Sequence, residues 1–391
     1  MRRSTDRILT THAGSLPREG DLGAMIRRKA QGEVLDEEAF FPRVKKAVGD
    51  VVRRQAEAGI DVASDGEQGR VGFIPYVNER LSGITPSPTI EAANYWSQSR
   101  EYQAFPDFYA WVTSLPGAAG STGRTRWVCT GPVSYTGHAA LQRDIDNLRA
   151  AMAGLKVVEA FMPAVSPSNL ANWNRNEHYK TDEDYLVALA EALREEYKAI
   201  VDAGLILQID DPLLASYYVM HPEASFDECR RWAAHRIEVL NHALRGLPED
   251  RIRYHTCYSI NIGPRVHDME LRHIVDLILK INAGAYSFEA ANPRHEHEWK
   301  VWESVRLPEN KILIPGVITH SSNIVEHPDA IAQRIGRFAS VVGRDNVIAG
   351  ADCGFASFAS TCEVHPSVVW VKLQALAEGA RIATKQLWGK A

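Results

Sequence analysis

Apolar residues in this chain fall into short unbroken runs, separated for the most part by longer stretches in which apolar positions step by three or four. Leu186, Leu189, Leu193, Tyr197 and Ile200 show the helical step, and Thr181 with Asp184 three residues on supplies a capping-box start. The short runs predict eight core strands, near residues 8–15, 60–67, 157–166, 206–211, 252–258, 285–290, 312–320 and 347–354. A unit recurs around them: a helix closes on Ala-Gly, an apolar strand follows, and an acidic residue stands at its far end. It is seen at Ala58-Gly59 to Glu67, Ala203-Gly204 to Asp210 and Ala283-Gly284 to Glu289.

Alternating helix and strand predicts a parallel sheet, and eight such units predict an α/β fold of the (β/α)8 TIM barrel type. A doubly wound sheet gives the same alternation but commonly carries Gly-x-Gly-x-x-Gly after its first strand, which is missing here. In a barrel the strand C-termini share one mouth. Ser15, Glu67, Asp210, His255, Cys257, Glu289, His320 and Cys353 are therefore expected to converge. Residues 1–391 read as one barrel domain in which 68–156, between the second and third strands, is too long for a barrel loop. This insertion is rich in aromatics (Tyr76, Trp96, Tyr102, Phe108, Tyr109, Trp111) and holds a strand candidate from Arg126. It is a candidate lid, or a contact between copies in a homo-oligomer; its aromatics equally suit a small core of its own.

Composition narrows the partners. With 391 residues, 45% hydrophobic, 24% charged and a net charge of -5, the chain offers no general attraction to nucleic acid or to an anionic membrane surface. No run is long enough to span a bilayer, and the basic start, Met1-Arg2-Arg3, is not followed by the apolar stretch of a secretory signal. Five scattered cysteines, an odd number, suit a reducing compartment, so a cytoplasmic location is expected.

Candidate chemistry begins at His255-Thr256-Cys257, where two metal-binding side chains two residues apart on a strand point to one face. Cys353, at the end of another apolar run and followed by Gly354, would add a third donor. Three such donors with one exchangeable position describe a catalytic zinc, while buried small cysteines and a core histidine describe the same residues without one. Other positions have plain readings too. Asp210-Asp211-Pro212 suits a strand-ending turn, Glu67 and Ser15 suit helix caps, and Arg294-His295-Glu296-His297-Glu298 suits a solvated helix face better than a second metal site.

Taken in order, the motifs resemble the C-terminal barrel of cobalamin-independent methionine synthase and its single-barrel relatives, which include epoxyalkane:coenzyme M transferases. The resemblance rests on Thr10-Thr-His-Ala-Gly-Ser15-Leu-Pro-Arg18, Ser64-Asp-Gly-Glu67, Gln208-Ile-Asp210-Asp-Pro, His255-x-Cys257, Ser287-Phe-Glu289-Ala, Pro315-Gly-Val-Ile-Thr-His320 and Asp352-Cys353-Gly. It implies a zinc held by His255, Cys257, Glu289 and Cys353, with Glu289 a ligand that spacing does not reveal. It also implies that Ser15, Glu67 and Asp210 hold the carboxylate and amino groups of a homocysteine-like thiol, that Asp210 and His320 serve catalysis with His320 the proton donor, and that Trp173 stacks on the pterin of a methyl donor. The chain departs from the family in lacking its N-terminal half, in Asp211 for a glutamate and in Met162-Pro-Ala-Val-Ser-Pro for Thr-Gly-Pro-Val-Thr. Binding of a methylated folate is the implication these changes touch most.

The expected activity is that of a zinc-dependent thiol methyl- or alkyltransferase. Only a thiolate attacks carbon well, and a metal carrying two cysteine thiolates and a carboxylate leaves electron density on a bound substrate sulfur. Two alternatives share the scaffold. One is an epoxide-opening transferase for a sulfonate thiol of the coenzyme M type, which would want arginines such as Arg70, Arg175 or Arg265 at the mouth. The other is a metal-free barrel lyase or decarboxylase of the uroporphyrinogen decarboxylase kind.

Overall fold

The computed structural model describes residues 1–87, 95–114, 126–258, 263–357 and 364–389. Its strands are β1 (Leu9–Thr10), β2 (Val62–Ala63), β3 (Ile84–Ser87), β4 (Arg126–Cys129), β5 (Glu159–Val165), β6 (Asn174–Asn176), β7 (Ile206–Asp210), β8 (Ile252–His255), β9 (Ala285–Phe288), β10 (Ile312–Ile318) and β11 (Ile348–Ala351). Eight of them form one sheet in the order β1-β11-β10-β9-β8-β7-β5-β2, every neighbour parallel. A parallel bridge from Thr11 to Val62 joins its two ends. The expected (β/α)8 barrel is thus the observed fold, with one strand in each of the eight predicted places.

Alternation along the strands fills the barrel from the bottom. Leu9, Ile312, Ile314 and Ile348 form one buried group, and Val62, Phe161 and Ile206 another, with Met1 packed against both. Above them the inward residues turn polar: Gln208 lies opposite Arg253, and Asp210 opposite His255, in the register of β7 and β8. Outside, the amphipathic helix Asp182–Asp202 buries Leu186, Leu189, Leu193, Tyr197 and Ile200, and the Thr181 hydroxyl accepts from Asp184 N at 3.0 Å, as its sequence predicts. Each such face contributes burial at about 25 cal/mol per Å² of apolar surface.

Within residues 68–156, β3 pairs antiparallel with β4, and β4 pairs in parallel with β6, a strand that lies after the third barrel strand. The last part of the stretch, helix His138–Met152, packs against the helices Glu37–Glu57 and Asp182–Asp202 of the outer ring. The middle part docks on barrel loops. Arg100 lies 4.2 Å over the Tyr218 ring and donates to Tyr218 O at 2.9 Å, while buried Glu101 accepts from His267 N at 3.3 Å. Tyr102, Phe108 and Tyr109 pack on one another, and Trp111 is exposed.

Cys129, Cys229, Cys257 and Cys353 are buried and free, and Cys362 lies outside the described residues. Among the described residues no helix is long and apolar enough to cross a membrane.

Candidate active site

The strand ends of β8 and β11 bring His255, Cys257 and Cys353 together. One donor atom from each lies within 4.8 Å of the other two, and all three residues are buried. The two thiols are 3.2 Å apart. His255 Nδ1 meets Ser287 Oγ at 3.1 Å, which fixes the ring, while its Nε2 is buried with no hydrogen-bond partner among the described residues. Burial, with Arg253 nearby, lowers the His255 pKa to about 3, so the imidazole is neutral and its free nitrogen is a donor of electrons. Cys257 beside it, together with burial, pushes the Cys353 thiol well above its usual range. A neutral imidazole with a donor atom close to two thiols has the donor chemistry of a zinc site with an open position.

Glu289, at the end of β9, belongs to a neighbouring group with His320 and Asp352, whose donor atoms again lie within 4.8 Å of one another. Its carboxylate is gripped by Arg265 at 3.2 and 3.3 Å, by Asn292 Nδ2 at 3.1 Å and by Tyr258 N at 2.8 Å. Burial alone would raise its pKa, but Arg265, His320, His295 and the Tyr258 N–H together hold it at about 2. Asp352 accepts from Ala290 N and Ala291 N, and burial, reinforced by Glu289, lifts its carboxyl to about 7. Gly316 is required there: a Cβ would collide with the Asp352 carboxylate and backbone.

On the other side of the mouth stand Ser15, Glu67 and Asp210. Ser15 Oγ is 3.4 Å from Ala356 N and from Ser357 Oγ, an approach that a Cβ on Gly354 would block. Glu67 holds a left-handed backbone at φ 56°, which costs a non-glycine residue about 1–3 kcal/mol and is typical of functional turns. Its carbonyl accepts from Arg18, whose other nitrogen reaches Ala356 O, so one arginine ties the first, second and last barrel loops. Burial raises the Glu67 carboxyl, with Arg70 and Arg18 opposing. Burial and then Glu67 itself raise partly exposed Asp210 well above the usual carboxylate range, against a 2.6 Å hydrogen bond from Gln208. A carboxyl raised in part by a neighbouring carboxyl is a place where a nearby cation would be favourable.

Neither residue caps a helix. The helix after Glu67, Phe73–Asn78, starts from Gly72, and the first helix starts from Glu19. Asp211 does fill the turn position expected of it, ahead of helix Pro212–Met220, with its carboxylate held by Asn169. The 294–298 stretch differs from a solvated face: His295 and Glu298 are buried, with His295 between Asp268 at 3.1 Å and Glu298 at 3.0 Å. The reason is pairing, since Asp268 also accepts from Arg265 at 2.8 Å and the charges form one chain ending at Glu289. Trp173 ends the helix Pro167–Trp173 that follows β5, partly buried against the main core. Arg265 in this role, Asp352 and Arg253 are residues that the sequence reading did not place; only Asp352, next to Cys353, carried a signal.

A parallel barrel with two close thiols, a neutral imidazole and a pair of carboxyls at its C-terminal mouth defines a class of barrel enzyme with candidate metal donors at its active end. The family model described as the cobalamin-independent synthase catalytic domain matches residues 8–160 and 164–369, and the chain belongs to that family. It is 25% identical over 384 residues to a methionine synthase of Saccharolobus islandicus, covering 97% of this chain and 95% of that one. A 5-methyltetrahydropteroyltriglutamate–homocysteine methyltransferase of Thermotoga petrophila is also 25% identical, over 88% of this chain but 41% of its own length. A B12-independent methionine synthase from Shewanella sp. W3-18-1, solved with selenomethionine, shares the fold with a TM-score of 0.73 at 22% identity, covering 98% of this chain and 100% of that one.

Proposed function

We propose that the protein is a zinc-dependent methyltransferase that moves a methyl group onto the sulfur of homocysteine or a close amino-acid thiol. The observation that carries the reading is the meeting of one donor atom each from buried His255, Cys257 and Cys353 at the barrel mouth, with His255 Nε2 lacking a hydrogen-bond partner among the described residues. His255, Cys257 and Cys353 would hold the ion, with Glu289 as the fourth protein donor. Bound there, zinc would take the place of the proton on the substrate sulfur and keep it a thiolate at neutral pH.

The remaining residues bind and orient. Glu67 and Asp210 receive the substrate ammonium, which stabilises both in their charged forms, and Ser15 receives the carboxylate. His320 supplies a proton to the leaving group of the methyl donor as the carbon bond breaks. Trp173 offers a ring face to that donor, for which a methylated folate is the first compound to test, and the docked middle of the 68–156 stretch acts as the cover of the mouth. Of the arginines the sulfonate alternative would need, Arg265 is committed to Glu289 and Asp268 and Arg175 is exposed and paired with Glu177, while buried Arg70 donates to Pro163 O beside the Asp65 and Glu67 carboxyls.

The test is metal analysis joined to turnover. About one zinc per chain is expected, with methionine formed from homocysteine and a methylated folate, and both lost in Cys257→Ser. Full activity after exhaustive chelation would overturn the reading.

A further inference from the structure

Under the mouth, one buried cation ties three barrel strands together. Arg253 on β8 is fully buried. Its Nε donates to Gln208 Oε1 at 2.6 Å, Nη1 to Thr11 Oγ1 at 2.9 Å and Nη2 to His12 O at 2.6 Å, while the guanidinium lies 3.4 Å over the Phe161 ring. An arginine can only donate, so the oxygen end of the Gln208 amide must face it. The amide nitrogen then faces the opposite way, donating to Ala13 O at 2.7 Å and to Asp210 Oδ1 at 2.6 Å. A flipped amide would set nitrogen against guanidinium and oxygen against a carbonyl and a carboxylate. One orientation is therefore enforced.

We infer that Arg253 is a positioning residue for the amino end of the substrate, acting through Gln208 to fix the Asp210 carboxylate so that its second oxygen is left for the ammonium. This rests on the reading of an amino-acid thiol substrate. Two observations support it independently of the metal. Among the described residues Asp210 Oδ2 has no hydrogen bond, and Asp210 is partly exposed, whereas Gln208 and Arg253 beneath it are fully buried. The same strand faces carry the relay upward: Gln208 and Asp210 are two residues apart on β7, as are Arg253 and His255 on β8.

The test compares two thiols on the zinc-loaded enzyme by calorimetry: homocysteine, and 4-sulfanylbutanoate, which is homocysteine without its amino group. Wild type should prefer homocysteine. Arg253→Met frees the amide to turn, and Gln208→Glu keeps the arginine's partner but presents an acceptor to Asp210. Each should cut that preference by about tenfold or more, the scale of a hydrogen bond to a charged group, with zinc content unchanged. Arg253→Lys, which can still donate to Gln208, should restore part of it. A folded, zinc-replete Gln208→Glu or Arg253→Met that keeps the wild-type preference, or weakens both thiols by the same factor, overturns the inference. Equal binding of the two thiols by wild type would instead remove the amino-acid reading itself, and this inference with it.

Discussion

Two groups of buried polar side chains stand side by side at the barrel mouth and are built in opposite ways. His255, Cys257 and Cys353 have few partners; the imidazole is neutral, and its outer nitrogen has no partner among the described residues. The chain Glu289, Arg265, Asp268, His295 and Glu298 is fully ionic, and each member is gripped by its neighbour. Burying charge is tolerated only when it is paired, so the second group is satisfied among its own members even though Glu289 is also the fourth donor proposed for zinc, whereas the outer His255 nitrogen of the first has no such partner among the described residues. One group is framework, and the other is a socket.

Breaking the socket should have the largest effect. Cys257→Ser or Cys353→Ser is expected to take zinc from about one per chain to near none, read by metal analysis, and to abolish turnover while the protein stays folded. Breaking the framework should act first on stability. Arg265→Met leaves Glu289 charged, buried and without its cation, and should destabilise the fold by about 3–5 kcal/mol in denaturant unfolding. If Arg265→Met left stability unchanged, the contrast between the two groups would fail.

A pH series sharpens the same contrast. Burial works against a charged His295, but Asp268 and Glu298 outweigh it and lift the ring to about 9 from an ordinary 6.5. The stability this contributes is whole below 6.5 and is lost as pH rises through 9. It amounts to about 3 kcal/mol at most. Melting temperature should therefore fall between those values in wild type, and more shallowly in His295→Gln. The smallest effect belongs to Arg175→Ala, which removes an exposed ion pair with Glu177 and should change stability by about 1 kcal/mol or less. Thiol binding by Arg175→Ala should match wild type; a loss specific to sulfonate thiols would revive the coenzyme M alternative.

The socket was more legible in the sequence than the framework. His255-x-Cys257 obeys the two-residue period of a strand, and Cys353 ends another apolar run, so local rules bring their side chains to one mouth once the barrel is recognised. The apolar helix faces and the eight strand positions follow from the same periodicities, even though β1 and β2 pair over only two residues each. No period reveals which carboxylate an arginine will meet. Arg265 finds Glu289 across 24 positions, and Asp268 finds His295 across 27, so two members of a run of alternating charges read as a wet helix face, His295 and Glu298, lie buried. The pairing of β4 with β6 escaped for the same reason, since Asn174-Arg175-Asn176 has no apolar alternation to announce a strand.

The central claim is that the socket holds zinc and accepts a substrate sulfur. X-ray absorption at the zinc edge, recorded before and after addition of homocysteine, tests it most directly. Two sulfur ligands should be seen in the free enzyme and a third on adding the thiol; a zinc without sulfur neighbours, or a sulfur count that homocysteine does not change, would contradict the account.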